Sequence, residues 1–201
     1  DDILTVVKEE AEEDVLRLAG VGDEEITDSI LRKTKRRFNW LLLNLFTALL
    51  ATWVISKFGA TIEQMVALAF LMPIVASMGG NAGTQTLTVA VRALAMKELT
   101  ATNAPRLIGK EILVGMSNGL VFAMFAGSVV ALWFDSLLLG VVIAIAMIVN
   151  LVVASLAGTL IPLVLERQGI DPAVASSVLL TTITDVVGFF VFLGLAAIIL
   201  I

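Results

Sequence analysis

The sequence contains no cysteine and no histidine. Without thiols there is no disulfide, no thiolate nucleophile and no thiolate-bound zinc or copper. Without imidazole the usual pairing of a nucleophile with a histidine base is excluded, and nothing else in the sequence replaces it. Charge is also sparse, at 15% of residues, and it is lopsided, since eleven of the 18 acids fall within residues 1–28. The net charge of −5 therefore describes one segment of the chain. A nucleic-acid partner does not fit that balance.

Apolar residues dominate what is present. They make up 59% of the 201 residues, and the mean hydropathy is +1.01. A soluble domain cannot hide that much apolar surface, so the expected class is an all-α membrane protein. Five runs are long enough to cross about 30 Å of hydrocarbon at 1.5 Å per residue. They lie at about Phe38–Ser56, Met65–Arg92, Ile112–Phe134, Leu137–Leu165 and Ala173–Ile201. The loop Ala95–Lys110 is the one long connector expected between them.

The first 30 residues read differently and are taken as a separate unit from the five-span domain of residues 31–201. Ile3, Val7, Ala11, Val15 and Leu18 recur at helical spacing, which predicts an amphipathic helix over Asp1–Gly20. Glu9, Glu10, Glu12, Glu13 and Asp14 cover much of its remaining surface, either as a solvated docking face or as a cation-sensing one. A second short helix is expected over Asp23–Arg37, ending in five bases. The chain starts at Asp1 with neither methionine nor signal peptide, and is read as part of a longer protein.

Orientation follows from lysine and arginine. With five spans, one side holds ten bases close to the membrane: the five at 32–37, then Arg92, Lys97, Arg106, Lys110 and Arg167. The other side holds Lys57. The N-terminus is therefore expected in the cytoplasm, the C-terminus outside, and the protein in the cytoplasmic (inner) membrane among its lipids.

Two features carry chemistry. Met78-Gly79-Gly80-Asn81-Ala82-Gly83-Thr84-Gln85 places three glycines and two amides inside the second span, a few residues after Pro73. Glycine and proline permit close approach or bent, unwound backbone, and exposed carbonyls at membrane depth are tolerated only in buried or water-lined places. Asn81, Gln85, Thr88 and Arg92 continue as a polar stripe. Tight helix packing and a pore lining are both compatible with this pattern. In the fifth span, Asp185 is the one charged residue between Ala173 and Ile201, with Thr181 one turn and Ser177 two turns before it on the same face. An acid there costs about 2.5–3.5 kcal/mol on insertion scales, so it needs a wet path or a partner. It is expected to be the one acid at membrane depth. The alternative to a cation site is an acid paired with a base or hydrogen-bonded between helices.

Pro73, Gly79–Gln85, Val91-Arg92-Ala93-Leu94-Ala95, Asp171-Pro172-Ala173 and Thr181–Gly188 together resemble the MgtE family of magnesium channels or transporters. The acidic stretch Glu9–Asp14 is similar to the family's connecting helix, which follows a pair of CBS domains. The resemblance covers essentially the whole chain. It implies a homodimer with five spans per subunit and a pore on the dimer axis lined by spans two and five. Missing N-terminal regulatory domains would belong upstream. By position, Asp185 matches the conduction-site acid, Gly80 and Gly83 match carbonyl-contributing positions, and Thr181 matches a pore-lining position where the family can carry a small apolar residue. Asn81, Gln85 and Ser177 would line the same pore. Glu9, Glu10, Glu12, Glu13, Asp14 and Asp171 would be regulatory metal ligands.

Mg²⁺ suits such a site, because it prefers six oxygens and keeps several waters. The choice of Mg²⁺ over Ca²⁺, Mn²⁺, Co²⁺ or Zn²⁺ rests on the resemblance. A proton-coupled divalent cation carrier and a non-conducting assembly module remain as alternatives, and an enzyme is disfavoured.

Overall fold

The computed structural model describes residues 27–99 and 103–201. The acidic segment with Glu9, Glu10, Glu12, Glu13 and Asp14 lies outside them. Among the described residues six helices follow one another: α1 (Ile30–Ser56), α2 (Gly59–Gln64), α3 (Ala67–Ala95), α4 (Ala104–Trp133), α5 (Leu137–Arg167) and α6 (Pro172–Ile199). Five of them, all but the six-residue α2, are long and apolar enough to cross a membrane. The described residues contain no strand.

Several boundaries differ from the sequence reading. The basic cluster expected to close a separate short helix is instead part of α1, which runs unbroken from Ile30. No glycine or proline separates Arg37 from Phe38, so nothing stops the helix there. The second span is preceded by a distinct turn of helix, α2, and Met65 breaks the chain direction with φ −138° and ψ 85°. The connector expected over Ala95–Lys110 is shorter, because α4 already starts at Ala104 with Pro105 in its first turn, where a missing N–H costs nothing. The glycine run does not unwind α3: the helix continues through Pro73 and residues 79–83.

α5 is the hub. It is apolar on every side and packs against α3, α4 and α6, whereas α1 touches the bundle mainly through α6. A helix without a polar face belongs at a bundle centre. Val142, Ile143, Ala146, Met147 and Leu151 of α5 form its core with Leu68 and Val75 of α3 and Phe192 and Leu193 of α6. Small residues set the α4–α5 distance. Gly115, Gly119, Ala123 and Gly127 form a buried row at every fourth position of α4. A Cβ at Gly127 would lie 2.9 Å from the Gly140 carbonyl oxygen, and one at Gly119 would lie 3.1 Å from Ile148 Cα. Apolar burial cannot drive helices together in lipid, so close backbone contact supplies the attraction.

The α4–α5 turn is tight. Asp135 adopts φ +48°, the Ser136 N–H donates to the Ala131 carbonyl, and the Ser136 hydroxyl accepts from the Leu139 N–H at 3.3 Å. One residue thus ends one helix and caps the next. Near the end of α1, Lys57 Nζ lies 4.7 Å from the Trp53 ring centroid, and at the end of α4 Trp133 stacks on Phe134.

Candidate functional site

The site grows from two rows on α3 and α6. On α3, Leu71, Val75, Gly79, Gly83, Leu87 and Val91 recur every fourth residue and are buried. On α6, Ser176, Leu180, Thr184, Gly188 and Phe192 do the same. These rows meet each other and α5. A Cβ at Gly83 would come within 2.7 Å of Leu180 Cδ1, and one at Gly158 within 2.8 Å of the Gly83 carbonyl oxygen. Asn150 of α5 is fully buried and sits between the two rows, against Gly79 on one side and Gly188 on the other. Its Nδ2 donates to the Val75 carbonyl at 2.8 Å.

Polar groups occupy the row one residue further along each helix. On α3 that row is Gly80, Thr84, Thr88 and Arg92; on α6 it is Ser177, Thr181 and Asp185. A one-residue step turns an α-helix by about 100°. The contacts of Gly83 with Leu180, and of Gly79 and Gly188 with Asn150, show that α3 and α6 run antiparallel. Stepping forward therefore turns the two helices in opposite senses, and both polar rows fall on the same side of their seam. The same contacts bracket Asp185, which lies at the depth of the 79–83 turn.

That side is open. No atom lies within 4 Å of the place a Cβ would take at Gly80, and Asn81, Thr84, Thr88 and Arg92 are exposed. Gly80 and Gly83 thus part company. Gly80 faces the open side, whereas Gly83 is buried against Leu180. The Gly80 carbonyl keeps its place in the helix and accepts the Thr84 hydroxyl at 2.8 Å. The Asn81 amide donates to the Ser77 hydroxyl at 3.3 Å.

Asp185 is partly buried and has no hydrogen bond or ion pair with any described residue. A paired or bonded acid within the protomer is therefore not what holds it in the helix. Ser177 and Thr181 stand on the same row, and the Thr181 hydroxyl lies 3.1 Å from both the Ser177 and Val178 carbonyl oxygens, to which it donates. Asp171 lies apart from this group, just before α6.

Gln85 and Arg92 belong to the exposed face of α3, but Gln85 also lines a cleft towards α4 with Glu111. Asp185 is not the one acid in the spanning helices, since Glu111 lies near the start of α4 and Glu166 near the end of α5. Glu111 is the eighth residue of α4, about 10 Å along its axis, partly buried, and accepts the Thr86 hydroxyl at 2.9 Å. Starting the third span at Ile112 left it out by one residue. Asn150 was also passed over, although it is the one amide in the α5 sequence. A lone amide amid apolar residues was the available signal.

Comparison with known proteins bears on the same helices. The MgtE family, described as divalent cation transporter, matches residues 72–195. Proteins named "Magnesium transporter MgtE" from Enterococcus faecalis, Bacillus subtilis and Thermus thermophilus are 39%, 37% and 32% identical to the chain. The alignments cover 98%, 98% and 100% of this chain, but 44%, 44% and 45% of those proteins. The chain thus spans under half the length of these relatives. Because the family match takes in most of α3 and α6 and all of α4 and α5, the helices on which both polar rows are built, the chain belongs to the MgtE family of divalent cation transporters.

Proposed function

We propose that the chain conducts Mg²⁺ across the cytoplasmic membrane as a homodimer, through a pore lined by α3 and α6 of both subunits. The observation that carries this reading is Asp185: an acid within a spanning helix, without a partner among the described residues, beside an open polar row at the same depth. A polar face of this kind is incompatible with lipid, so a second copy facing it across a water-filled path satisfies both. Two Asp185 carboxylates would then face one axis. Thr181, Ser177, Thr84 and Asn81 would hold the water shell that Mg²⁺ gives up reluctantly. The names of the relatives supply the ion. The distribution of lysine and arginine supports a cytoplasmic N-terminus and an outer C-terminus.

The cytoplasmic acidic segment, residues 1–30 in this reading, would connect the pore to regulatory domains of a longer protein. Glu9, Glu10, Glu12, Glu13, Asp14 and Asp171 would share Mg²⁺ with them when the ion is abundant.

The deciding experiment is Mg²⁺ flux into liposomes containing the chain, with Asp185→Asn alongside. The parent conducts and the variant, still a folded dimer, does not. Equal flux in both removes Asp185 from the path. Flux that follows a proton gradient and saturates would favour a carrier, and no flux from the parent would favour an assembly module.

A further inference from the structure

Glu111 is a further acid of the spanning helices, near the start of α4, and the pore proposed on the α3–α6 seam does not use it. Its surroundings are unusual. α3 and α4 each pack against α5 but scarcely against each other, which leaves a cleft between them. The cleft is partly open and has a volume of about 200 Å³. Its floor includes the buried Ser155 of α5, its α3 wall carries Gln85 and Thr86, and its α4 wall carries Glu111 and Asn118.

We propose that this cleft is a second cation site, taking a hydrated divalent ion away from the pore axis. Five side chains bring oxygen donors to it, one of them a carboxylate, and no lysine or arginine among the described residues lines it. The Thr86 hydroxyl occupies one position on Glu111 Oε2 at 2.9 Å. An ionised carboxylate has about four acceptor positions, so most of its capacity remains for an ion or its waters. Gln85 and Asn118 are exposed amides, which hydrocarbon would not satisfy.

The cleft is large enough to admit an ion together with bound water. No group of three or more acids gathers among the described residues, so a dehydrated, multi-carboxylate cage is not available. Water-mediated binding to one carboxylate and neutral oxygens is what the donor set allows. The absence of sulfur and imidazole ligands favours a hard ion. The cleft rests on the proposed function only for naming that ion as Mg²⁺.

Mn²⁺ is the probe, counted per chain at saturation by equilibrium dialysis of the purified protein in detergent. In an Asp185→Asn background, one Mn²⁺ per chain remains, and adding Glu111→Gln removes it. Unchanged binding after Glu111→Gln overturns the proposal, as does an Asp185→Asn protein that binds no Mn²⁺ at all, which would make the cleft a water pocket. Should Glu111→Gln fail to fold, Asn118→Leu in the same background decides. It alters an exposed side chain and is expected to weaken Mn²⁺ binding at least tenfold; unaltered affinity counts against the site. A chain that binds Mn²⁺ through Glu111 yet carries no Mg²⁺ keeps the cleft and sinks the pore. The two readings therefore fail separately.

Discussion

Asn150 donates its amide to the Val75 carbonyl at 2.8 Å, joining the hub helix α5 to the helix that carries the glycine motif. Its Oδ1 is buried without a hydrogen-bond partner among the described residues. The amide fits because Gly79 and Gly188 leave it space; a Cβ at Gly188 would lie 2.8 Å from Nδ2, and one at Gly79 would press on the same atom. Gly79→Ala should therefore destabilise the protein by ~1–3 kcal/mol, as overpacking does. Asn150→Ala should cost about as much alone, through the lost contact and bond. Combined, the two should cost clearly less than their sum, because the new methyl no longer meets the amide. Thermal unfolding in detergent measures all three, and strict additivity would separate Asn150 from the glycines.

Gly80 and Gly83 should respond in different ways to leucine. At Gly80 the added atoms enter open space within the protomer, so Gly80→Leu should fold with near-parental stability and lose Mg²⁺ flux. At Gly83 they meet Leu180, so Gly83→Leu should lose stability first, by ~1–3 kcal/mol. Unfolding midpoints read beside liposome flux distinguish the cases. A Gly80→Leu protein that conducts like its parent would place Gly80 off the path.

For Asp185→Asn, flux should fall tenfold or more, since each ~1.4 kcal/mol lost from ion stabilisation is a factor of ten. Asp185→Glu keeps the charge and should retain more flux than the amide. The ranking parent, glutamate, asparagine is the outcome to check; asparagine above glutamate would mean that charge is not what matters there.

Lys97 closes α3 at φ +56°, with the Glu98 and Leu99 N–H groups both turned back to the Ala93 carbonyl. Side chains are disfavoured in that left-handed region, and glycine is not. Lys97→Gly should raise stability by up to about 1 kcal/mol, measured by unfolding, without changing flux.

The acidic segment should matter only in company. If its carboxylates share Mg²⁺ with domains of a longer protein, flux through this chain should depend weakly on cytoplasmic Mg²⁺, and flux through a full-length relative should depend on it steeply. Equally steep inhibition in both would show that the additional domains are not needed.

The five spans were legible because hydrocarbon demands about 20 apolar residues in sequence, and composition alone reports that. Asp185 and the Gly79–Gln85 motif were legible for the opposite reason: polar or flexible residues are costly in such a run and stand out against it. The ends of the helices were less so. Nothing local separates Arg37 from Phe38, and Glu111 lies one residue outside the run that hydropathy selects. What only tertiary structure decided is which polar residues share a side. Gly79 and Gly83 serve packing, whereas Gly80, one residue away, faces open space. Glu111 and Gln85 are 26 residues apart in sequence and meet because α3 and α4 lean on the same third helix. Helical periodicity sets how residues group on one helix. Which neighbour each group faces depends on close-packed contacts between helices, and those are distributed across the whole chain.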